Sequence, residues 1–451
     1  MSVSVLERNP QLLTVETDLS LNTMVAAGGG GGLNAALQGM ARTLTGEQTL
    51  TGVVTVADDG GGTGRLRRLV DKLLAKSGSE PQGILAVGDI RNAMGCLALP
   101  ELGESFSKER LREHTTVEEA NARIASLYGS MVMTGTVDPA DKELRSSIMA
   151  TSELLGWMYD LDDERLSGQP IGNALLVRSI LPTELGGDGM GMGEATKLWS
   201  DRLGVDPRVR LMPATEDPPT MHLKMNGRTY SSEVEIDKLQ ITDPLGAELF
   251  LTHSDTGGSV VPYGPAVEAV ENADAIIIVP SSLYSSFALK GFKEAIAKSR
   301  KSGGVLAVGM NMQRGLDTGC LESPEQYVQV VESLAESPVD VAMINTANGE
   351  DSGFSEDVVP LFPEHASRLA ALALETGGRV VSSDLSDAGV PVVPTELAVS
   401  GLVKKEVDLT DEIAVQGRRS GVQTDGSALV DAVQFFIDSK NSDKAILAQS
   451  T

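Results

Sequence analysis

The chain has 451 residues, 41% of them hydrophobic, enough to bury a sizeable core and more than one minimal domain requires. Its 63 Asp and Glu against 37 Lys and Arg give a formal charge of −26, which argues against nucleic acid and anionic membrane surfaces as partners but not against a small phosphorylated ligand held by local donors. Cys96 and Cys320 lack the spacing of a zinc site or a disulfide framework, which fits a reducing, cytoplasmic compartment.

Residues 1–22 carry charges where a signal peptide needs an apolar run, and read as an N-terminal extension; no stretch approaches the roughly 20 apolar residues of a membrane span. Met24–Met40 then reads as a short strand, five glycines (Gly28, Gly29, Gly30, Gly31 and Gly32) and a helix from about Leu33. Such glycines let backbone N–H groups crowd a pyrophosphate while the helix aims its positive end at the charge. The spacing is neither a dinucleotide fingerprint nor a P-loop, and a plain strand–helix turn is the alternative. In Val54–Arg68 a strand over Val53–Ala57 runs into Asp58, Asp59, Gly60, Thr63 and Arg65, followed by a basic helix from Leu66 to Lys76. Paired carboxylates at a strand end suit ribose hydroxyls or a Mg²⁺ that neutralises phosphate; helix capping and a solvated basic face are the alternative. A third strand, Ile84–Val87, is expected to lead into Gly88, Asp89, Arg91 and Asn92, with Arg91 on a loop where it could clamp a phosphate or merely pair with Asp89.

Residues 100–165 read as a charged helical insertion, Gly172 and Asn173 stand before a helix, and Gly186–Gly193 reads as a loop. Met221–Ile236 places Asn226-Gly227 between alternating runs, which predicts a type I′ hairpin within an antiparallel excursion over 208–260. Buried strands are expected at Ala275–Pro280, Val305–Met310, Val339–Asn345 and Arg379–Ser383, and helices at Phe287–Ser299 and Glu325–Glu336. Ser281, Ser282, Tyr284 and Ser285 follow the first of these strands, and Arg314, Asp317 and Thr318 the second. The four histidines fall outside these clusters, and no Ser-His-Asp or Cys-His arrangement is evident. The alternation predicts a Rossmann-like, doubly wound α/β fold with a mostly parallel sheet, an antiparallel hairpin excursion and a helical insertion, spanning 23–438 before a tail at 439–451.

VTVADDGGGTGRLRR, GDIRN, PIGN, RLMPATEDP and ADAIIIVPSSLYSS, in that order, resemble the YvcK-like gluconeogenesis-factor family, within a superfamily that includes the phospholactyl transferase CofD. The resemblance implies UDP-sugar binding, with UDP-N-acetylglucosamine first among the ligands, a regulatory role in carbon metabolism, cell-wall synthesis and cell shape, and a homodimer. It implies no known reaction. The ligand site it implies comprises Gly28–Gly32, Asp58, Asp59, Gly88, Asp89, Arg91, Asn92, Gly172 and Asn173, with Ser282 and Tyr284 nearby. No cofactor follows with certainty, but Mg²⁺ at Asp58 and Asp59 would support a CofD-like transferase as the alternative; NAD binding is a third reading. The sequence departs from the family where Gly31-Gly32 replaces Thr-Gly, where Ser281 replaces a glycine, and at Leu316-Asp317.

Overall fold

The structure, a computed structural model, describes residues 21–59, 61–76, 85–108, 116–142, 144–146, 148, 151, 169–183, 187–310, 316–343, 402–404, 422–424, 430, 433, 434 and 437. Six parallel strands form the main sheet: β1 (Thr23–Gly28), β2 (Thr49–Val54), β3 (Val209–Pro213), β7 (Ala275–Ile278), β8 (Val305–Gly309) and β9 (Val341–Met343). Their order is β3-β2-β1-β7-β8-β9. The chain winds outward from β1 in one direction and from β7 in the other, so the β1–β7 seam is the topological switch point.

The strands are apolar throughout because both faces are covered. Met24 and Ala26 of β1 enter one core cluster, with Leu33 and Leu37 of α1 (Gly30–Thr43) and Ile90 of α3 (Val87–Leu97). Val25 and Ala27 point the other way, into a second cluster with Ile276 and Leu306. At its entrance the seam is tied by Asp274, whose Oδ2 accepts N–H bonds from Asn22 at 2.9 Å and Thr23 at 2.8 Å and the Thr23 hydroxyl bond at 3.0 Å.

The antiparallel excursion is a three-stranded sheet of order β5-β4-β6, built from β4 (Pro219–Met225), β5 (Arg228–Ser231) and β6 (Glu248–His253). Asn226 (φ 52°) and Gly227 (φ 75°) form the expected turn, since only this left-handed backbone matches the strand twist in a two-residue hairpin. Met221, Leu223 and Leu249 bury one face of this sheet in the second core cluster. The preceding β3 belongs to the parallel sheet.

Among the described residues of the insertion, α4 (Pro100–Ser107) and α5 (Val117–Met133) are helical, the latter opened by a Thr116–Glu119 capping box. Phe106 packs against Trp199 with ring centroids 5.8 Å apart, and the indole N–H donates to Ser179 Oγ at 3.0 Å.

Three expectations need correction. Leu85 and Ala86 are not strand, and Val87 already opens α3; the run is apolar because a helix start is buried there, tied to the sheet by the Ala86 N–H bond to Val56 O at 3.3 Å. The helix expected from Phe287 begins at Lys293, because Gly291 adopts φ 90° while Phe287, Leu289 and Phe292 are buried from turns. The loop expected through Gly193 ends sooner, with a helix from Met192 to Arg202 whose Gly193 N–H donates to Glu216 Oε1 at 2.8 Å. The strand expected at Arg379–Ser383 lies outside the described residues, as do Gly60, Gly186 and Arg314.

Candidate functional site

β1 runs into α1 through glycines that side chains could not replace. Gly30 adopts φ 61°. Gly32 lies so close to the exit of β7 that a Cβ on it would sit 1.5 Å from Pro280 O. Gly31, by contrast, has nothing within 4 Å of that position. The N-cap residue, Gly29, has no side chain to cap α1, so the first N–H groups of the helix depend on partners from other elements, at a turn where Ser281 stands against Gly28.

Opposite this turn, the end of β2 and the start of α3 bring carboxylates together. A Cβ on Gly88 would lie 2.5 Å from Thr63 Oγ1 and 3.6 Å from Asp58 Oδ2, which places the second and third sequence motifs side by side. Asp89 accepts the Gly30 N–H bond and thus sits at the positive end of α1. Burial, and then the Asp58 charge, raise the Asp89 carboxyl to about 7 despite the opposing pull of Gly30 and Arg91.

Glu233 completes the acidic group from the antiparallel subdomain. It opens the short helix Glu233–Asp237, and the next residue, Val234, donates its N–H to Asp59 Oδ1 at 3.1 Å. Burial, followed by Asp58, Asp237, Asp59 and Asp89, pushes the Glu233 carboxyl up to about 9. No site residue was expected in this subdomain. Glu233 meets Asp58 and Asp59 only through tertiary folding, although a carboxylate just after the second hairpin strand was the available signal.

Arg91, Asn92, Gly172 and Asn173 come together in a buried hydrogen-bonded cluster, Gly172 and Asn173 lying within the first turn of the helix Ile171–Ile180 and not before it. Arg91 lies within α3, not on a loop, and is only 6% exposed. Its guanidinium donates to Asn173 Oδ1 at 3.1 Å and to Asn92 Oδ1, while its carbonyl accepts from Ser107 Oγ at 3.2 Å. Asn173 in turn donates to Gln169 Oε1 at 2.8 Å. Gly172 permits the approach, since a Cβ there would meet Phe106 O at 2.5 Å and Arg91 Cγ at 2.9 Å. Arg91 therefore acts on the site through its field at Asp89.

Beyond β7, half-buried Asp317 accepts the Leu283 N–H at 2.7 Å and the Ser282 hydroxyl at 3.2 Å, fixing the turn that carries Ser281. Burial raises the Asp317 carboxyl above the usual range. Tyr284 departs from the expected cluster: it is fully buried and its hydroxyl donates to Pro244 O at 2.9 Å. Arg65 is half-buried on the helix Gly61–Lys76. Among the described residues no group of three or more His, Cys, Asp or Glu is disposed to hold a metal ion, so the Asp58–Asp59 pair would need ligand oxygens to complete a Mg²⁺ sphere.

Comparison with known proteins agrees with this fold. The Bacillus halodurans protein described as a member of the UPF0052 family has the same fold, with TM-scores of 0.58 and 0.57 for its two crystal structures at 21% identity, the first covering 92% of this chain and all of that one. The gluconeogenesis factor of Listeria innocua is 26% identical over 357 residues, 78% of this chain and 86% of the relative, and that of Listeria monocytogenes is 26% identical over 350 residues, 76% and 84%. The family model of 2-phospho-L-lactate transferase CofD matches residues 24–366, which include the described parallel sheet from its second residue onward, and the chain belongs to the CofD family.

Proposed function

We propose that this chain binds a nucleoside diphosphate or nucleotide-sugar, with UDP-N-acetylglucosamine as the first candidate, and acts as a cytoplasmic regulator of carbon metabolism and of cell-wall synthesis and shape. The observation that carries the reading is the glycine turn at the switch point. A helix start without a capping side chain on its N-cap residue, the Ser281 turn and carboxylates at Asp58 and Asp59 that would suit ribose hydroxyls lie where open parallel sheets bind nucleotides. The names of the Listeria relatives support a part in gluconeogenesis.

A diphosphate entering this site meets carboxylates as well as N–H donors. The protons held by Asp89 and Glu233 lower that repulsion at neutral pH. A Mg²⁺ carried in by the ligand and held by Asp58 and Asp59 would lower it further; when bound, it would supply charge neutralisation of the phosphates. This acidic group favours a second reading, transfer of a phosphorus-containing group to an acceptor hydroxyl, as in the family's named activity.

The test is a thermal-shift screen against UDP-N-acetylglucosamine, UDP, GDP and NAD, with and without Mg²⁺. Stabilisation by the UDP compounds, with the ligand recovered intact, supports the regulator. Release of a nucleoside monophosphate with Mg²⁺ and an acceptor supports the transferase, and no response to any nucleotide removes both.

A further inference from the structure

The outer face of the antiparallel sheet carries a polar arrangement that the nucleotide site leaves unexplained. Strand alternation turns Thr220, His222 and Lys224 of β4 away from the core. At the centre, His222 is held by two hydroxyls, Ser231 Oγ at 2.9 Å from Nδ1 and Thr252 Oγ1 at 2.8 Å from Nε2. Its ring stacks on Phe250, the residue opposite it on β6, with centroids 4.9 Å apart and planes 15° apart. A neutral imidazole donates through one nitrogen and accepts through the other, so this unit presents oriented hydroxyls beside an apolar ring edge.

That face adjoins the candidate site at two points. Arg67, on the helix that follows Asp59, approaches Ser254 Oγ at 3.5 Å, and Ser254 bonds Thr220 at 3.0 Å. Ser231 stands three residues before Val234, whose N–H holds Asp59. Thr220, His222 and Phe250 are half-buried and Ser231 is exposed, so the face is neither core nor bulk surface. A fixed array of hydroxyls and an imidazole around stacked rings is the chemistry that recognises a sugar: hydrogen bonds for its hydroxyls and an apolar surface for its C–H face.

We propose that this face is the sugar subsite, with His222, Ser231, Thr252 and Phe250 receiving the hexose ring of a nucleotide-sugar whose diphosphate lies at the glycine turn. The assignment rests on the nucleotide reading above and adds to it a residue set on a different sheet. His222 is the specificity-determining residue, because it orients both hydroxyls.

Calorimetric titration of the full chain with UDP and with UDP-N-acetylglucosamine tests it. The wild type is expected to bind the sugar conjugate more tightly, and His222→Ala to reduce that preference by about five- to tenfold while leaving the Kd for UDP unchanged. Ser231→Ala, an exposed change that spares the fold, is expected to give a smaller loss in the same ratio. Lys224→Ala, farther along the same face, is expected to leave it intact. If the wild type binds UDP but the ratio is insensitive to both His222→Ala and Ser231→Ala, or if UDP binding falls equally, the subsite is refuted and the nucleotide reading stands. If the wild type binds neither compound, both are refuted.

Discussion

Two adjacent glycines at the start of α1 should respond in opposite ways to the same substitution. A methyl group on Gly32 would lie 1.5 Å from Pro280 O and 2.7 Å from its carbonyl carbon, whereas ordinary contact needs 3.4–4 Å. The helix would have to withdraw by about 2 Å from the β7 exit, an overpacking that costs about 1–3 kcal/mol or more. Gly31 faces open space, and Ala there gains up to about 1 kcal/mol of helix propensity. The expected separation between Gly31→Ala and Gly32→Ala is therefore roughly 2–4 kcal/mol. Urea titration read by far-ultraviolet dichroism measures it, with the midpoint moving at constant slope. UDP binding should survive in Gly31→Ala and be lost in Gly32→Ala, whose donors no longer face the seam. Equal midpoints for the two variants would refute the claim that the seam clamps this turn.

The remaining predictions concern charge and buried hydrogen bonds. Asp89 and Glu233 hold protons in the folded state up to about 7 and about 9, from ordinary values of 3.8 and 4.5, so the folded chain binds more protons than the unfolded chain across this window. Their contribution to stability is full below pH 3.8 and is lost as pH rises through those folded values; Asp89→Asn and Glu233→Gln should flatten the fall, as denaturation at stepped pH would show. In the absence of Mg²⁺, UDP affinity should weaken as pH rises through about 7, and a Kd independent of pH would count against Asp89 lying beside the phosphates. Arg91→Ala should cost about 2–3 kcal/mol by leaving Asn173 Oδ1 without its buried guanidinium donor, while the Ser107 bond to the residue 91 carbonyl is retained; a variant of native stability would contradict the structural role of Arg91. Asp317→Ala should cost about 1–3 kcal/mol and impair binding, whereas Asp317→Asn keeps an acceptor for Leu283 N–H and should recover most of both.

Much of the parallel sheet could be read directly, because β1, β7 and β8 are short apolar runs stopped by Gly or Pro and buried on both faces; the strand expected at Val53–Ala57 instead runs over Thr49–Val54, where Thr49, Thr51 and Gly52 interrupt the apolar signal. Asn226-Gly227 announced its hairpin for an equally local reason, the positive φ angles its turn demands. Ile84–Val87 defeated the same rule: four apolar residues look alike whether they pair in a sheet or begin a buried helix. The glycine turn and the Asp58–Thr63–Gly88–Asp89 group lie on local motifs and were legible. Glu233 was not, since its nearness to the charges of Asp58 and Asp59 depends on how the antiparallel unit docks, through the bond from its neighbour Val234 to Asp59. Arg91 and Tyr284 carry chemistry typical of ligand contacts, but Asn173 and Asn92 hold the Arg91 guanidinium and Pro244 O takes the Tyr284 hydroxyl.

The Asp274 clamp sits at the opposite end of β1 and β7 from the glycine turn. With four register pairs between them, Met24 with Ala275 through Ala27 with Ile278, the two strands form a short ladder pinned at its foot. Any opening of the sheet's two halves would then be a scissor motion about Asp274, widest at Gly28 and Ser281. A molecule gripping both sides of that mouth would touch the β3-β2-β1 half and the β7-β8-β9 half at once, and so would tie the two halves together at the end opposite Asp274.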